Sequence, residues 1–92
     1  MVAEGSGSLL AALKVGATIE DLDIYDLERL MSETDKVDII TVYENLQKGS
    51  RNHLRAFTKQ IERNGGTYEA QYIGDAEYED IISSSQERGM MR

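Results

Sequence analysis

In the stretch Ile39-Ile40-Thr41-Val42-Tyr43-Glu44-Asn45-Leu46, continued by Gly49-Ser50-Arg51-Asn52-His53-Leu54-Arg55-Ala56-Phe57, one set of side chains recurs in alternating steps of four and three. The set is Ile39, Tyr43, Leu46, Ser50, His53, Phe57 and then Gln60. Such steps bring residues to one face of an α-helix. Ile40, Val42, Leu54 and Ile61 flank that face. The pattern predicts a helix over 36–64. Asn64-Gly65-Gly66 ends it, because glycine readily supplies the left-handed conformation that follows a helix C-terminus. Gly49, beside Ser50, leaves little bulk at mid-helix.

The same alternation runs upstream through Leu9, Leu13, Gly16, Glu20, Asp23, Leu27 and Leu30, widened by Leu10, Ala17, Ile24 and Met31. It predicts a first helix over 8–33. Gly16 costs that helix about 1 kcal/mol relative to alanine, and in exchange lets a neighbouring helix come close. Thr18 and Asp21 have the spacing of a capping box, which would split the helix; the unbroken stripe favours continuity. Between the helices Thr34-Asp35-Lys36 is a short polar turn with Asp35 as the expected N-cap, and a turn so short forces antiparallel neighbours.

Outside this hairpin, Met1–Gly7 is small and glycine-rich, and reads as a flexible lead-in with Ser6 or Ser8 as helix cap. Thr67–Ile73, which carries Tyr68 and Tyr72, reads as extended coil. Asp75–Ser83 predicts a short third helix whose Tyr78, Ile81 and Ile82 pack over one end of the bundle. Residues 84–92 are polar and terminal, an expected disordered tail. The folded unit is therefore 8–83, a single all-α domain.

Composition narrows the functional classes. The net charge is −7, which opposes binding to nucleic acid or to an anionic membrane surface, both of which need clustered Lys and Arg. No apolar run is long enough for a membrane span and no signal-peptide pattern opens the chain, so cytoplasmic residence is expected. With no cysteine, disulfides and thiolate metal ligands are excluded. No phosphate-cradling glycine loop or serine–histidine–acid arrangement is present.

Two helices of ~26 residues, each ~39 Å long, touch along one line only. The apolar stripes are wider than that line. A lone hairpin would leave much of Leu9, Leu13, Ile24, Leu27, Ile39, Leu46 and Phe57 in water, and burial of such surface contributes about 25 cal/mol per Å². A symmetric homodimer of hairpins hides both stripes and makes a four-helix bundle.

Polar groups interrupt the stripes at one level. Glu20 and Asp23 are neighbours at i and i+3 on the first helix, and His53 lies on the core face of the second. Counted from a turn at about residue 35, Glu20 stands about fifteen residues before it and His53 about eighteen after. In an antiparallel hairpin these are within about one turn of the same height. Carboxylates and an imidazole at one level of a helical bundle are the ingredients of a metal site for iron, manganese or zinc. A dimer would bring two copies of Glu20, Asp23 and His53 around one axis. The plainer alternative is a hydrogen-bonded histidine and two partly solvated acids on a helix that already carries Asp21, Asp26 and Glu28, with Arg51 or Arg55 as structural ion-pair partners. Ser50 and Gln60 read as packing and hydrogen-bonding residues, and Tyr43 as core.

The run Leu13-Lys14-Val15-Gly16-Ala17-Thr18-Ile19-Glu20-Asp21-Leu22-Asp23-Ile24 resembles the third helix of a ferritin-like family of archaeal and bacterial proteins known as a domain of unknown function. Val42-Tyr43-Glu44-Asn45-Leu46 and Gly49 to Phe57 resemble its fourth helix, and Gly65-Gly66-Thr67-Tyr68-Glu69 with Gln71-Tyr72 its closing segment. The likeness covers about 8–83 and matches the second of the family's two helical hairpins. It implies a bound metal, iron or similar, with Glu20 and Asp23 at the helix-three carboxylate positions. The family's Glu-x-x-His reads Ser50-Arg51-Asn52-His53 here, keeping the histidine alone. Three functions follow as expectations: a metal-binding homodimer; a metal-free, non-catalytic dimerisation or interaction module; or a split half that docks on another helical hairpin.

Overall fold

The computed structural model describes residues 2–84, with side chains from residue 8 onward. Three helices follow one another: α1 (Val2–Ser32), α2 (Val37–Arg63) and α3 (Asp75–Ser83). No strand lies among the described residues. Nor is any helix among them long and apolar enough to cross a membrane. The first two helices pack as the expected hairpin and α3 packs against α2.

α1 is continuous. The Thr18 hydroxyl donates to the Lys14 carbonyl one turn back, at 2.8 Å, the mid-helix use of threonine in place of a cap. The helix starts at Val2, upstream of the caps expected at Ser6 or Ser8. Once the long apolar segment nucleates a helix, each added residue contributes a hydrogen bond and carries it outward. The tail expected over 84–92 lies, from residue 85, outside the described residues.

The turn differs by one residue from the expectation. Lys36, not Asp35, takes the N-cap position, without a side-chain bond to the helix. The Lys36 amide instead donates to Thr34 Oγ1 at 3.2 Å. At the far end the chain stops as expected. Gly65 has φ +84°, its amide donates to the Glu62 carbonyl at 3.0 Å, and the Gly66 amide donates to Ile61 at 2.9 Å. Those two bonds make a Schellman closure, which glycine enters without steric cost.

Gly16 does permit close approach. A Cβ there would stand 2.5 Å from the Phe57 ring. Elsewhere the stripes are rotated from their expected centre. The buried apolar residues are Ala17 and Ile24 of α1, Leu54 and Ile61 of α2, and Ile73, Tyr78 and Ile81 beyond the hairpin. Ile24, expected to be left in water by a lone hairpin, has no exposure at all. The reason is the closing segment: residues 67–83 lie along the hairpin and cover one of its two faces, whereas only the third helix was expected to pack there, over one end.

The other face is open. Leu9, Ile39, Val42 and Leu46 are between 37% and 55% exposed, and Leu13, Leu27 and Phe57 are half-buried. Greasy positions at both ends of this face flank a polar middle.

A candidate metal half-site on the open face

The polar middle holds the residues singled out by the sequence. His53 Nδ1 lies 3.4 Å from Glu20 Oε2. α1 and α2 bring the pair together because the antiparallel hairpin sets these positions at one height. Glu20 is mostly enclosed, with 15% of its side chain exposed, whereas 67% of the His53 side chain is exposed. His53 is therefore not on the core face: the core runs through Leu54 and Ile61, and His53 sits at its edge. Glu20, Asp23 and His53 line a groove of about 580 Å³ together with Leu27, Leu30 and Leu46. Asp23 is exposed there, and Asp26 and Asn45 also line the groove.

A carboxylate beside an imidazole is a donor pair suited to iron, manganese or zinc. Among the described residues no three His, Cys, Asp or Glu side chains converge as a metal site needs. Glu20 and His53 alone stand in contact, and Asp23 lines the same groove.

Arg51 and Arg55 turn the other way, toward α3. Arg51 Nη1 donates to Gln47 Oε1 at 3.0 Å, and Arg55 Nε donates to the Ile81 carbonyl at 2.7 Å. Ser50 is buried and Gln60 exposed, and Tyr43 is half-buried.

The covered face is organised by Asp21, which the sequence reading placed in a capping box with Thr18 or among the solvated acids of the first helix. Asp21 has no exposure. Its Oδ2 accepts from the Tyr68 hydroxyl at 2.6 Å and the Gln71 amide at 2.6 Å. Its Oδ1 accepts from the amides of Tyr72 at 3.2 Å and Ile73 at 2.8 Å. A buried carboxylate is tolerated only when its lone pairs are met in this way. Burial, followed by the bond to Asp21, pushes the Tyr68 phenol well above the usual tyrosine range. Tyr78 is raised as well, again chiefly by burial, while its bond with Thr58 at 3.0 Å works against the shift. The Tyr68 and Tyr78 rings meet edge to face at 5.7 Å. Gln47 is buried too, its Nε2 donating to the Ile24 carbonyl at 3.1 Å. The signal for Asp21 was present: it lies between Ala17 and Ile24 at steps of four and three, on the stripe that becomes the core.

Residues 1–85 match the family described as an uncharacterized protein domain, DUF2202. The chain belongs to the DUF2202 family. It is also similar to the uncharacterized protein MJ0754 of Methanocaldococcus jannaschii, at 60% identity over 92 residues, which is all of this chain and 50% of that protein. The crystal structure of hypothetical protein MJ0754 from Methanococcus jannaschii superposes with a TM-score of 0.84 at 62% identity, covering 85% of this chain and 45% of that one. This DUF2202 chain thus spans about half the length of the curated relative it matches.

Proposed function

We propose that this DUF2202 chain is half of a ferritin-like four-helix bundle that binds a divalent metal, iron or the similar manganese or zinc, on its open face. Glu20 and His53 are the ligands and Asp23 the third candidate. A second copy supplies the same three residues and completes the ring. The observation that carries this reading is the 3.4 Å Glu20–His53 contact, set in a groove with apolar residues to either side. Half-exposed leucines and isoleucines around a polar centre favour a covering hairpin, and a two-fold axis through that centre would bring the ligands of both copies together.

The chain's share of its relative favours a second reading. With 50% of MJ0754 matched, a hairpin of different sequence, equivalent to the relative's remaining half, is the other candidate cover. Sedimentation at micromolar concentration separates the two: a stable homodimer supports the first, whereas a monomer that orders only when another hairpin is added supports the second.

Metal binding is tested by reconstituting the chelator-free protein with ferrous iron, manganese or zinc. The expected result is about one or two ions per dimer and a rise in Tm that Glu20→Gln and His53→Ala remove, since metal that binds only the folded state stabilises it. Less than about 0.1 ion per dimer, with no change in Tm, leaves a metal-free interaction module as the function.

A further inference from the structure

Gly49 lies in the interior of α2, where glycine weakens a helix relative to alanine because its backbone loses more freedom on folding. The other glycines from residue 8 onward have reasons within the chain. Gly16 makes room for the Phe57 ring and Gly66 for the Leu10 side chain, where an added Cβ would stand 2.5 and 2.7 Å away. Gly65 has φ +84°, and Gly74 is the N-cap of α3, a position that glycine suits. Gly49 has none of these reasons. Its backbone is helical, and a Cβ there would meet nothing within 4 Å. By itself the hairpin would accept alanine at this place.

What Gly49 leaves bare is part of the open groove. It lines that groove, one helical turn from His53 and one turn from Leu46, which is 55% exposed. A helix surface without a side chain lets another backbone come nearer than the usual separation of packed helices.

We propose that Gly49 is the point of closest approach for a helix of a second copy of this chain, seated in the open groove. This rests on the dimeric reading of the site and adds the contact that sets its register. Two observations favour a second copy as the occupant. One chain brings only Glu20 and His53 into contact, whereas a metal takes more donors than two, and a second copy carries the same donors. The chain also spans 50% of MJ0754, so two copies equal that protein in length. A helix held close at Gly49 fixes the height at which the partner's side chains arrive beside the Glu20–His53 pair. A methyl group added at Gly49 would push the helices apart, and two-fold symmetry puts that methyl in both copies.

The test is sedimentation equilibrium and thermal unfolding of the full chain, with and without added zinc. In Gly49→Ala the Tm measured well below the dimer Kd should rise by about 4–8 °C. The dimer Kd should nevertheless weaken at least about tenfold, through over-packing in both copies. Thr41→Ala is the control, at an exposed position of the same helix outside the groove; it should raise Tm and leave the Kd unchanged. A Kd unmoved by Gly49→Ala, or moved equally by Thr41→Ala, overturns the close approach while the homodimer stands. A wild type that stays monomeric in both conditions at every concentration removes the homodimer itself, and this contact with it. Failure of Gly49→Ala to fold overturns the proposal too, because Gly49 would then be required inside the hairpin.

Discussion

Glu20 and Asp21 are adjacent carboxylates on one helix, and they live in different environments. Glu20 looks into the open groove and meets an exposed imidazole at 3.4 Å. Asp21, one step of about 100° round the helix, is enclosed and accepts four hydrogen bonds from the closing segment. The difference comes from what lies over each face. Residues 67–83 cover the Asp21 side and turn it into core, while the Glu20 side keeps its leucines and isoleucines at the surface. A hairpin of this kind has one face that its own chain completes and one that its described residues leave open.

The largest contrast should come from the carboxylates themselves. Asp21→Ala strands the Tyr68 hydroxyl and three amides, and should cost about 4 kcal/mol, at about 1–3 kcal/mol for each group left buried and partly relieved as the segment lifts. Glu20→Ala, judged on the chain without metal, should change stability by less than about 1 kcal/mol. Urea unfolding of both variants checks this, and equal losses would break the two-face description. Next come paired leucines. Leu54→Ala, at a fully buried position, should lose about 3 kcal/mol. Leu46→Ala, 55% exposed, should lose under about 0.5 kcal/mol at high dilution. If a second copy covers the open face, the Leu46 loss grows with protein concentration, which sharpens the comparison into a measure of association.

Two smaller effects follow. Tyr68→Phe removes one of the donors to Asp21 and leaves three, so a loss of about 1 kcal/mol is expected. The raised phenol makes that contribution pH-dependent: it is present below about pH 10, the unfolded value, and is lost as pH climbs beyond it. A spectrophotometric titration near 295 nm should show a late-ionising tyrosine that Tyr68→Phe removes. Smallest of all, His53→Ala without metal should shift stability by no more than about 0.5 kcal/mol, because the His53 side chain is 67% exposed; a larger loss would place His53 in the core after all.

The hairpin was legible because its signals are local. Alternating steps of four and three mark α2, Gly65 marks its end, and residue counting from the turn puts Glu20 beside His53. The covered face was not legible in the same way. Asp21 belongs to the residue class that most often faces water, and three of its four partners are backbone amides, which every residue but proline offers. Nothing in the letters of Gln71, Tyr72 and Ile73 says that their N–H groups converge on one carboxylate. The rotation of the core toward Ile24, Leu54 and Ile61, and the displacement of His53 to its edge, are consequences of that missing contact. Tyr68 was visible as an aromatic in a polar stretch, but its partner was not.

The bonds from Gln71 and Ile73 to Asp21 join positions 50 and 52 residues apart. Closing a loop of that length early would be entropically unfavourable, whereas the hairpin between them needs only a short turn. The helical pair should therefore assemble first and present a preformed carboxylate on which the closing segment settles afterwards. Refolding followed by far-ultraviolet dichroism should then run ahead of refolding followed by tyrosine fluorescence, and Asp21→Ala should abolish the later phase while sparing the earlier one.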